Sequence, residues 1–518
     1  MKSKSDAVVE APQGSDTAYD ICFWRVLLLC IPALILGAAL RASFLAVTPE
    51  VYYQTDTYSY FITASNLLTE GDFQVNPKRS FLYPILLVFA PLLPGSVAVG
   101  VAVIQHILGL AIIVGIGWIV AQMTRLPVLW VPLATVVAAV WPRMLWQEHV
   151  MTAEVWLLAA FVAAVAIALP CGALRDKSRL FWFLVMLVVM VSLKPQGRPL
   201  WLGLMITAIA MAGNPLKWEW RSLGAVMIAV VIMLTSPSGS DRQGGWLLLT
   251  SSFPFVKTEG EPYSKYRALL RPFVEDARGD LENYASRQGY YKKALGGQQT
   301  AKFVISDKWI ELTKKKNLKL YVKVVRRLAL EGIFAHPYEY SKLVLRKIAL
   351  AASAKGPGDT ISPGKFWRSQ ERETAKRLDQ VELLYGTDRD SHLRMVEERR
   401  QRTIWIAPLM HKLSRGLTWT LYSERGIGKS PNIGLTALGW LLALGVFVCL
   451  SPRHFVCRAL LLLPAVLYLL GTFGVGDALG RYLHPVEWVG IVLVFIGLDA
   501  MTNLIARGSA WLRPSTWQ

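Results

Sequence analysis

Apolar residues fill this chain in long blocks, not in the alternation of a strand or the one-sided stripe of a surface helix. The runs 22–47, 97–121, 127–146, 152–170, 180–193, 200–212, 223–236, 433–450, 455–473 and 483–505 carry few charges. A helix needs about 20 residues to cross the ~30 Å hydrocarbon of a bilayer. Only helices and closed barrels satisfy their backbone there. The pattern predicts an all-α polytopic membrane protein of about ten transmembrane helices. The first run is longer than a signal-peptide core of roughly 7 to 15 residues, so it reads as an uncleaved span. Residues 81–93 are apolar too, but the run is short, contains Pro84 and Pro91, and is followed by Pro94 and Gly95. A re-entrant or interfacial helix is expected there.

Charge orients these spans. With the N-terminus inside, the inner connections carry Lys2 and Lys4, then Arg125, then Arg175, Lys177 and Arg179. Lys217 with Arg221, Arg453 with Arg458, and Arg507 with Arg513 follow. Every inner loop is then basic, as the positive-inside rule requires. Counting 81–93 as another span would move Arg125 outside and break the series. The expected organisation is a cytoplasmic tail (1–21), a transmembrane catalytic module (22–236) that includes an outer loop (48–96), a mostly helical outer-face domain (237–431), and C-terminal transmembrane helices with a cytoplasmic tail (432–518). Both termini are cytoplasmic in this reading, and a multi-pass inner-membrane protein with a periplasmic active face results.

Composition narrows the class further. Hydrophobic residues make up 53% and charged residues 18% of the chain, and mean hydropathy is +0.37. Disorder and collagen-like repeats are excluded, and five cysteines in 518 residues exclude a disulfide scaffold. No disulfide is implied, and no Cys or His cluster has zinc spacing. The net charge of +20 fits a lipid headgroup surface better than nucleic acid in so apolar a chain. No P-loop, nucleotide-binding glycine fingerprint or G-x-S-x-G turn is present, so cytoplasmic nucleotide chemistry has no support. Residues 318–334 and 340–353 place apolar side chains at helical spacing with Lys and Arg between them, interrupted by His336-Pro337. Two readings stand for them: helices lying on headgroups, or core-facing helices of the outer domain.

Charged residues at membrane depth or at span ends are costly and therefore mark candidate chemistry. They collect on the outer side. Asp56 is the only acid between Glu50 and Glu70, and Tyr52, Tyr53, Tyr58 and Tyr60 surround it. Asp56 suits a general base or a cation ligand, and the tyrosines suit stacking on a sugar. A helix cap is the alternative for Thr55-Asp56-Thr57. Lys78-Arg79 precede the re-entrant run, where a guanidinium fork matches a phosphate or else snorkels to the interface. Between the third and fourth spans lie Arg143, Glu148, His149 and Glu154. Glu148 and His149 read as an exposed loop, whereas Glu154 opens an apolar span and needs a facing cation to remain charged. Lys194 and Arg198, with Arg481, are outer-side cations that serve either anion binding or interfacial anchoring. His336 and His484 read as structural.

Together these residues resemble the GT-C superfamily of membrane glycosyltransferases, especially bacterial relatives of protein O-mannosyltransferases and of the lipid A aminoarabinose transferase. TDTYSYFITASNLLTEGDFQVNPKRSFLYPILL is similar to the acidic first-loop motif followed by Arg-x-x-x-Tyr-Pro. MTAEVWLLAAF looks like the second acidic motif, and GRYLHPVEW like the Arg-Tyr-x-x-Pro start of a late span. The likeness covers mainly 22–236. It implies Asp56 and Glu154 as catalytic, Arg79, Arg481, Lys194 and Arg198 as donor-phosphate ligands, and Tyr58, Tyr60, Tyr83 and Tyr482 as substrate-binding. It also implies a polyprenyl-phosphate sugar donor, an envelope lipid, glycan or protein acceptor, and Asp56 with Glu154 as candidate ligands for Mg²⁺ or Mn²⁺. Many members have paired acids in the first loop, whereas here Thr55 and Thr57 flank Asp56. Two other classes fit many spans with a large outer segment: an O-antigen ligase or polymerase, and a lipid-linked sugar flippase.

Overall fold

The computed structural model describes residues 21–47, 49–52, 57–73, 79–170, 172–212, 218–235, 248–249, 252–279, 318–353, 388, 390–391, 393–395, 397–398, 437–451, 455–475 and 483–511. Among these the regular structure is helical, with one isolated parallel bridge between Tyr52 and Val150. The helices of the first half are α1 (Phe23–Val47), α2 (Thr57–Glu70), α3 (Leu82–Leu87), α4 (Val97–Met123), α5 (Pro127–Ala139), α6 (Pro142–Glu148), α7 (Glu154–Ala168), α8 (Lys177–Leu193), α9 (Gly197–Ala212) and α10 (Trp220–Thr235). Those of the second half are α11 (Ser264–Gly279), α12 (Leu318–Ala335), α13 (Pro337–Ser353), α14 (Ala437–Leu450), α15 (Phe455–Val475) and α16 (His484–Trp511).

Each apolar run of the sequence coincides with a helix. Among the described residues four helices, against the ten spans expected, are long and apolar enough to cross a membrane: Phe23–Ala46, Val97–Met123, Cys457–Gly474 and His484–Ala506. The remaining apolar helices are shorter. The run 127–146 is divided, because Trp141 is extended (φ −64°, ψ 113°) ahead of Pro142, which starts α6. Proline disfavours helical geometry in the residue before it and is well placed at a first helical position.

The interior is one continuous apolar cluster built by α1, α4, α5, α7, α8, α9, α15 and α16. On α1, Val26, Cys30, Ala33 and Arg41 form the buried stripe, while Phe23, Trp24, Leu28, Ile31 and Ile35 are exposed. A helix that shows its large apolar side chains outward is built for lipid. Gly117 of α4 lets three helices meet: a Cβ there would lie 2.6 Å from Cys30 Sγ and 2.9 Å from Thr135 Cγ2. Small residues at such crossings replace the hydrophobic drive that lipid cannot supply.

One end of the bundle is held by an acid the sequence did not single out. Asp499 of α16 is buried, and its carboxylate accepts from the Arg125 and Leu126 backbone N–H groups at 3.1 and 3.2 Å and from Trp130 Nε1 at 2.9 Å. It thereby satisfies orphan donors at the start of α5 from the far end of the chain.

In the segment between the two groups of apolar helices, α12 buries Val324, Val325, Leu328 and Ala329 in a second core with Phe253, Val256, Leu270 and Val274. Lys323, Arg326 and Arg327 are exposed. The core-facing reading of this segment therefore holds, and the break at His336-Pro337 separates α12 from α13 as expected. Tyr340 of α13 donates its hydroxyl to the Gly474 carbonyl at the end of α15, and burial pushes its phenol up to about 12. Val344 packs with Phe473 and Leu483 there. The expectation of no disulfide is corrected at Cys457, which is disulfide-bonded to a cysteine outside the described residues. Pairing between distant cysteines leaves no trace in their spacing.

Replacing Asp499 with Ala removes one acceptor shared by three buried donors, each unsatisfied group costing about 1 to 3 kcal/mol. Thermal unfolding of the purified protein in detergent should show a lowered midpoint for Asp499→Ala, with smaller loss in Asp499→Asn. An unchanged midpoint in both would remove Asp499 as the latch of α16.

Candidate functional site

The connection after α1 and the connection between α6 and α7 are joined by backbone. Tyr52 donates its N–H to the His149 carbonyl at 2.8 Å and accepts from Met151 N–H at 3.4 Å. Thr57 Oγ1, the first residue of α2, donates to the Met151 carbonyl at 3.1 Å. These bonds tie Tyr52 and Thr57 to the loop that precedes Glu154.

A second set of side chains builds outward from α4. Gln105 is fully buried and donates through Nε2 to the carbonyls of Glu148 and Val150, both at 2.9 Å. Its Oε1 accepts from the Tyr83 hydroxyl at 3.0 Å. Tyr83 packs edge-on against Tyr60, with centroids 4.9 Å apart at 90°. Over the Tyr60 ring lies the Arg79 guanidinium, 4.8 Å from the centroid, with its Nε donating to Ser59 Oγ at 2.5 Å. Arg79, Tyr60 and Tyr83, three residues expected at the site, thus form one stack rooted in the membrane helix.

Glu154 opens α7 and is buried, which sets its carboxylate at the positive end of the helix dipole. Lys194 follows the last residue of α8 and donates Nζ to Glu154 Oε1 at 2.5 Å. The facing cation that the sequence called for is therefore this lysine. A tight turn positions it: Gly197 N–H returns to the Lys194 carbonyl at 2.8 Å. A Cβ at Gly197 would lie 2.2 Å from the Met190 carbonyl oxygen, so only glycine fits. Beside this pair, Arg143 of α6 is bound to Glu487 of α16, which also accepts from Trp141 Nε1 at 3.2 Å. His484 and Tyr83 both lie within electrostatic reach of Glu154.

The exposed-loop reading of Glu148 and His149 is corrected by their burial, at 1% and 0% exposure. Glu148 reaches inward to Arg41 of α1, whose Nη2 donates to Oε1 at 2.5 Å. Its Oε2 accepts from His106 Nδ1 of α4 at 2.9 Å. His106 Nε2 in turn lies 2.9 Å from His149 Nδ1, within hydrogen-bond distance, with the donor set by the tautomers of the two rings. Gly109, one turn on from His106, makes room, since a Cβ there would lie 2.2 Å from Glu148 Oε1. Arg41, Gln105 and His106 were not found from sequence. A charge or amide inside an apolar run was the available signal for each.

Of the other expected residues, Asp56, Arg481 and Tyr482 lie outside the described residues. Tyr58 is half-buried against the core, and Arg198 is half-buried in the first turn of α9. Among the described residues no group of three or more His, Cys, Asp or Glu side chains is arranged to hold a metal ion. The donors present, with Glu154 already engaged by Lys194, do not form a cation site by themselves.

The Arg41–Glu148 pair generates a test. Removing one partner of a buried pair leaves an uncompensated charge and costs about 3 to 5 kcal/mol, whereas apolar replacement of both is often near neutral. Glu148→Leu should lower the unfolding midpoint sharply, and adding Arg41→Met should restore much of the loss. Strictly additive losses would mean that the two residues are not energetically coupled.

The chain was compared with protein-family models, with curated proteins and with solved structures, and none matches it.

Proposed function

We propose that this protein is a membrane glycosyltransferase of the GT-C type that moves a sugar from a polyprenyl phosphate to an envelope acceptor, whether lipid, glycan or protein. The reading places ten spans in the inner membrane, both termini in the cytoplasm and the reaction at the periplasmic face. One observation carries it. Arg79, Tyr60 and Tyr83 converge with the buried Glu154–Lys194 pair at one end of the bundle, although they come from separate loops. That combination of cation, aromatic surface and carboxylate at a membrane boundary suits a lipid-anchored, phosphate-bearing sugar.

In the proposed reaction the polyprenyl tail stays in lipid and the phosphate meets Arg79 and Lys194, with Arg481 and Arg198 as further cations. Tyr58, Tyr60, Tyr83 and Tyr482 offer stacking and hydroxyl contacts. Asp56 takes the proton from the acceptor hydroxyl, whose oxygen bonds to the anomeric carbon as the bond from that carbon to the phosphate oxygen breaks. The electron pair leaves with the phosphate, and a single displacement inverts the anomeric centre. Charge grows on the leaving phosphate, so fixed cations there stabilise the transition state more than the ground state. Glu154 holds Lys194 in place. No step is routed through a divalent cation.

The chain of Arg41, Glu148, His106 and His149 favours one other reading, a lipid-linked sugar transporter, because buried ionisable chains also serve proton relays. The two readings differ in bond change. Mass spectrometry of envelope lipids and glycans from deletion and wild-type cells should show a sugar-sized mass difference for a transferase.

Asp56→Asn keeps the capping ability of the side chain, since Asn caps about as well as Asp. It removes the basicity, and a general base contributes typically ~100- to 10,000-fold in rate. The variant should be stable, inserted, and slower in sugar transfer by at least a hundredfold, with wild-type activity insensitive to EDTA. Near-normal transfer would sink the base assignment, and loss on chelation rescued by Mg²⁺ or Mn²⁺ would make Asp56 and Glu154 metal ligands instead.

Orientation is checked separately. A Cys placed near Gly296 should react with an impermeant maleimide in cells whose inner membrane is intact. Labelling only after that membrane is opened would invert the topology. Cys457 lies at the cytoplasmic end of α15 in this orientation, so its bond should be reduced in intact cells, and a bond that persists there would mark an oxidising compartment and argue for the opposite orientation.

A further inference from the structure

His484 begins α16 and is fully buried, at 0% exposure. Among the described residues neither ring nitrogen has a hydrogen-bond partner. Buried polar groups are nearly always paired, and an orphan costs free energy that a purely structural residue has no reason to retain. An apolar side chain of similar shape would fill the same space without that cost. The imidazole stands among charges already committed to one another: Glu154 at the start of α7 is bound to Lys194 beyond α8, and Arg143 of α6 to Glu487 one turn further along α16. All three of Glu154, Arg143 and Lys194 act on it electrostatically. None hydrogen-bonds it.

The same end of the bundle holds further buried polar atoms without partners. They are Gln196 Oε1 and Trp201 Nε1 at the start of α9, and Thr472 Oγ1 near the end of α15. These two helix ends touch, since a Cβ on Gly471 would lie 2.9 Å from the Pro199 ring. The group is chemically mixed. Trp Nε1 only donates, a Gln oxygen only accepts, and a Thr hydroxyl or neutral imidazole does both. A phosphate, which accepts only, answers part of such a set. A polyol answers all of it, because every hydroxyl both gives and takes a hydrogen bond.

We propose that His484 binds hydroxyl groups of the sugar carried by the lipid-linked donor, as the recognition residue that tells a glycosylated polyprenyl phosphate from the bare lipid. This rests on the glycosyltransferase reading and assigns the sugar side of its site. The division of labour is then explicit: Arg79 and Lys194 meet the phosphate, and His484 meets the carbohydrate.

The test uses the full-length protein in nanodiscs with two probes, undecaprenyl phosphate and undecaprenyl phosphate bearing a neutral hexose. Wild type should bind the hexosyl lipid at least tenfold more tightly than the bare lipid. His484→Phe should abolish that preference while leaving bare-lipid binding unchanged, and should unfold no lower than wild type without lipid, because the lost groups had no partners. His484→Leu repeats the test if the larger ring overfills the site. A preference that persists in a folded variant overturns the assignment but leaves the glycosyltransferase reading standing. So does a lowered unfolding midpoint with intact preference, which marks a structural histidine. Wild type that binds both probes equally overturns it as well, and wild type that binds neither overturns the glycosyltransferase reading together with this one.

Discussion

Every charge that this protein takes below its membrane surface must be matched within the protein, since lipid offers neither water nor counter-ion. That constraint organises the described structure. Arg41 meets Glu148, Lys194 meets Glu154, Arg143 meets Glu487, and Asp499 meets backbone and indole donors. Each match joins segments far apart in sequence, so each is also a constraint on how the helices assemble. Buried pairs of this kind are weak sources of net stability against apolar isosteres, and their value lies in specifying which partner is correct. The bundle is held in register by its polar minority, while its apolar majority supplies packing that many arrangements could share.

The end of the bundle that carries Glu154 and Lys194 shows what this makes available. Two loops are stitched by backbone through Tyr52, and a glutamine on α4 extends that stitching to Tyr83 and, through ring contact, to Tyr60 and Arg79. Cationic and aromatic groups are thereby presented from rigid helix ends and not from free loops. Such preorganisation is what differential stabilisation of a transition state requires, because no reorganisation is then needed when charge moves. Both ring nitrogens of His484 belong to the buried polar atoms that have no hydrogen-bond partner among the described residues.

Two elements mark where local pattern and assembled structure part. At 318–334 the alternation of apolar and basic residues is the same for a helix on headgroups and for one facing a protein core. Contact with Phe253, Val256, Leu270 and Val274 makes it the latter, and those partners lie at a distance that periodicity does not see. At Glu148 and His149, two polar residues between apolar runs look like a solvated loop. They are interior because Arg41, His106 and the space over Gly109 await them, and nothing adjacent in sequence announces that.

By itself the sequence determined that the chain is helical and suited to a membrane, roughly where its apolar helices lie, and that charge collects in particular connections. These properties are local, set by hydrocarbon thickness, backbone satisfaction and proline stereochemistry, and each can be read from a window of about 20 residues. It also marked Glu154 as an acid in need of a cation. Only the tertiary structure decided that the cation is Lys194, that Arg79 lies over Tyr60, and that His106, Gln105, Asp499 and His484 matter at all. The reason is physical: partner choice among buried charges depends on which helix faces which. That follows from the packing of the whole bundle, where a single glycine at 109, 117 or 197 decides whether two segments can touch.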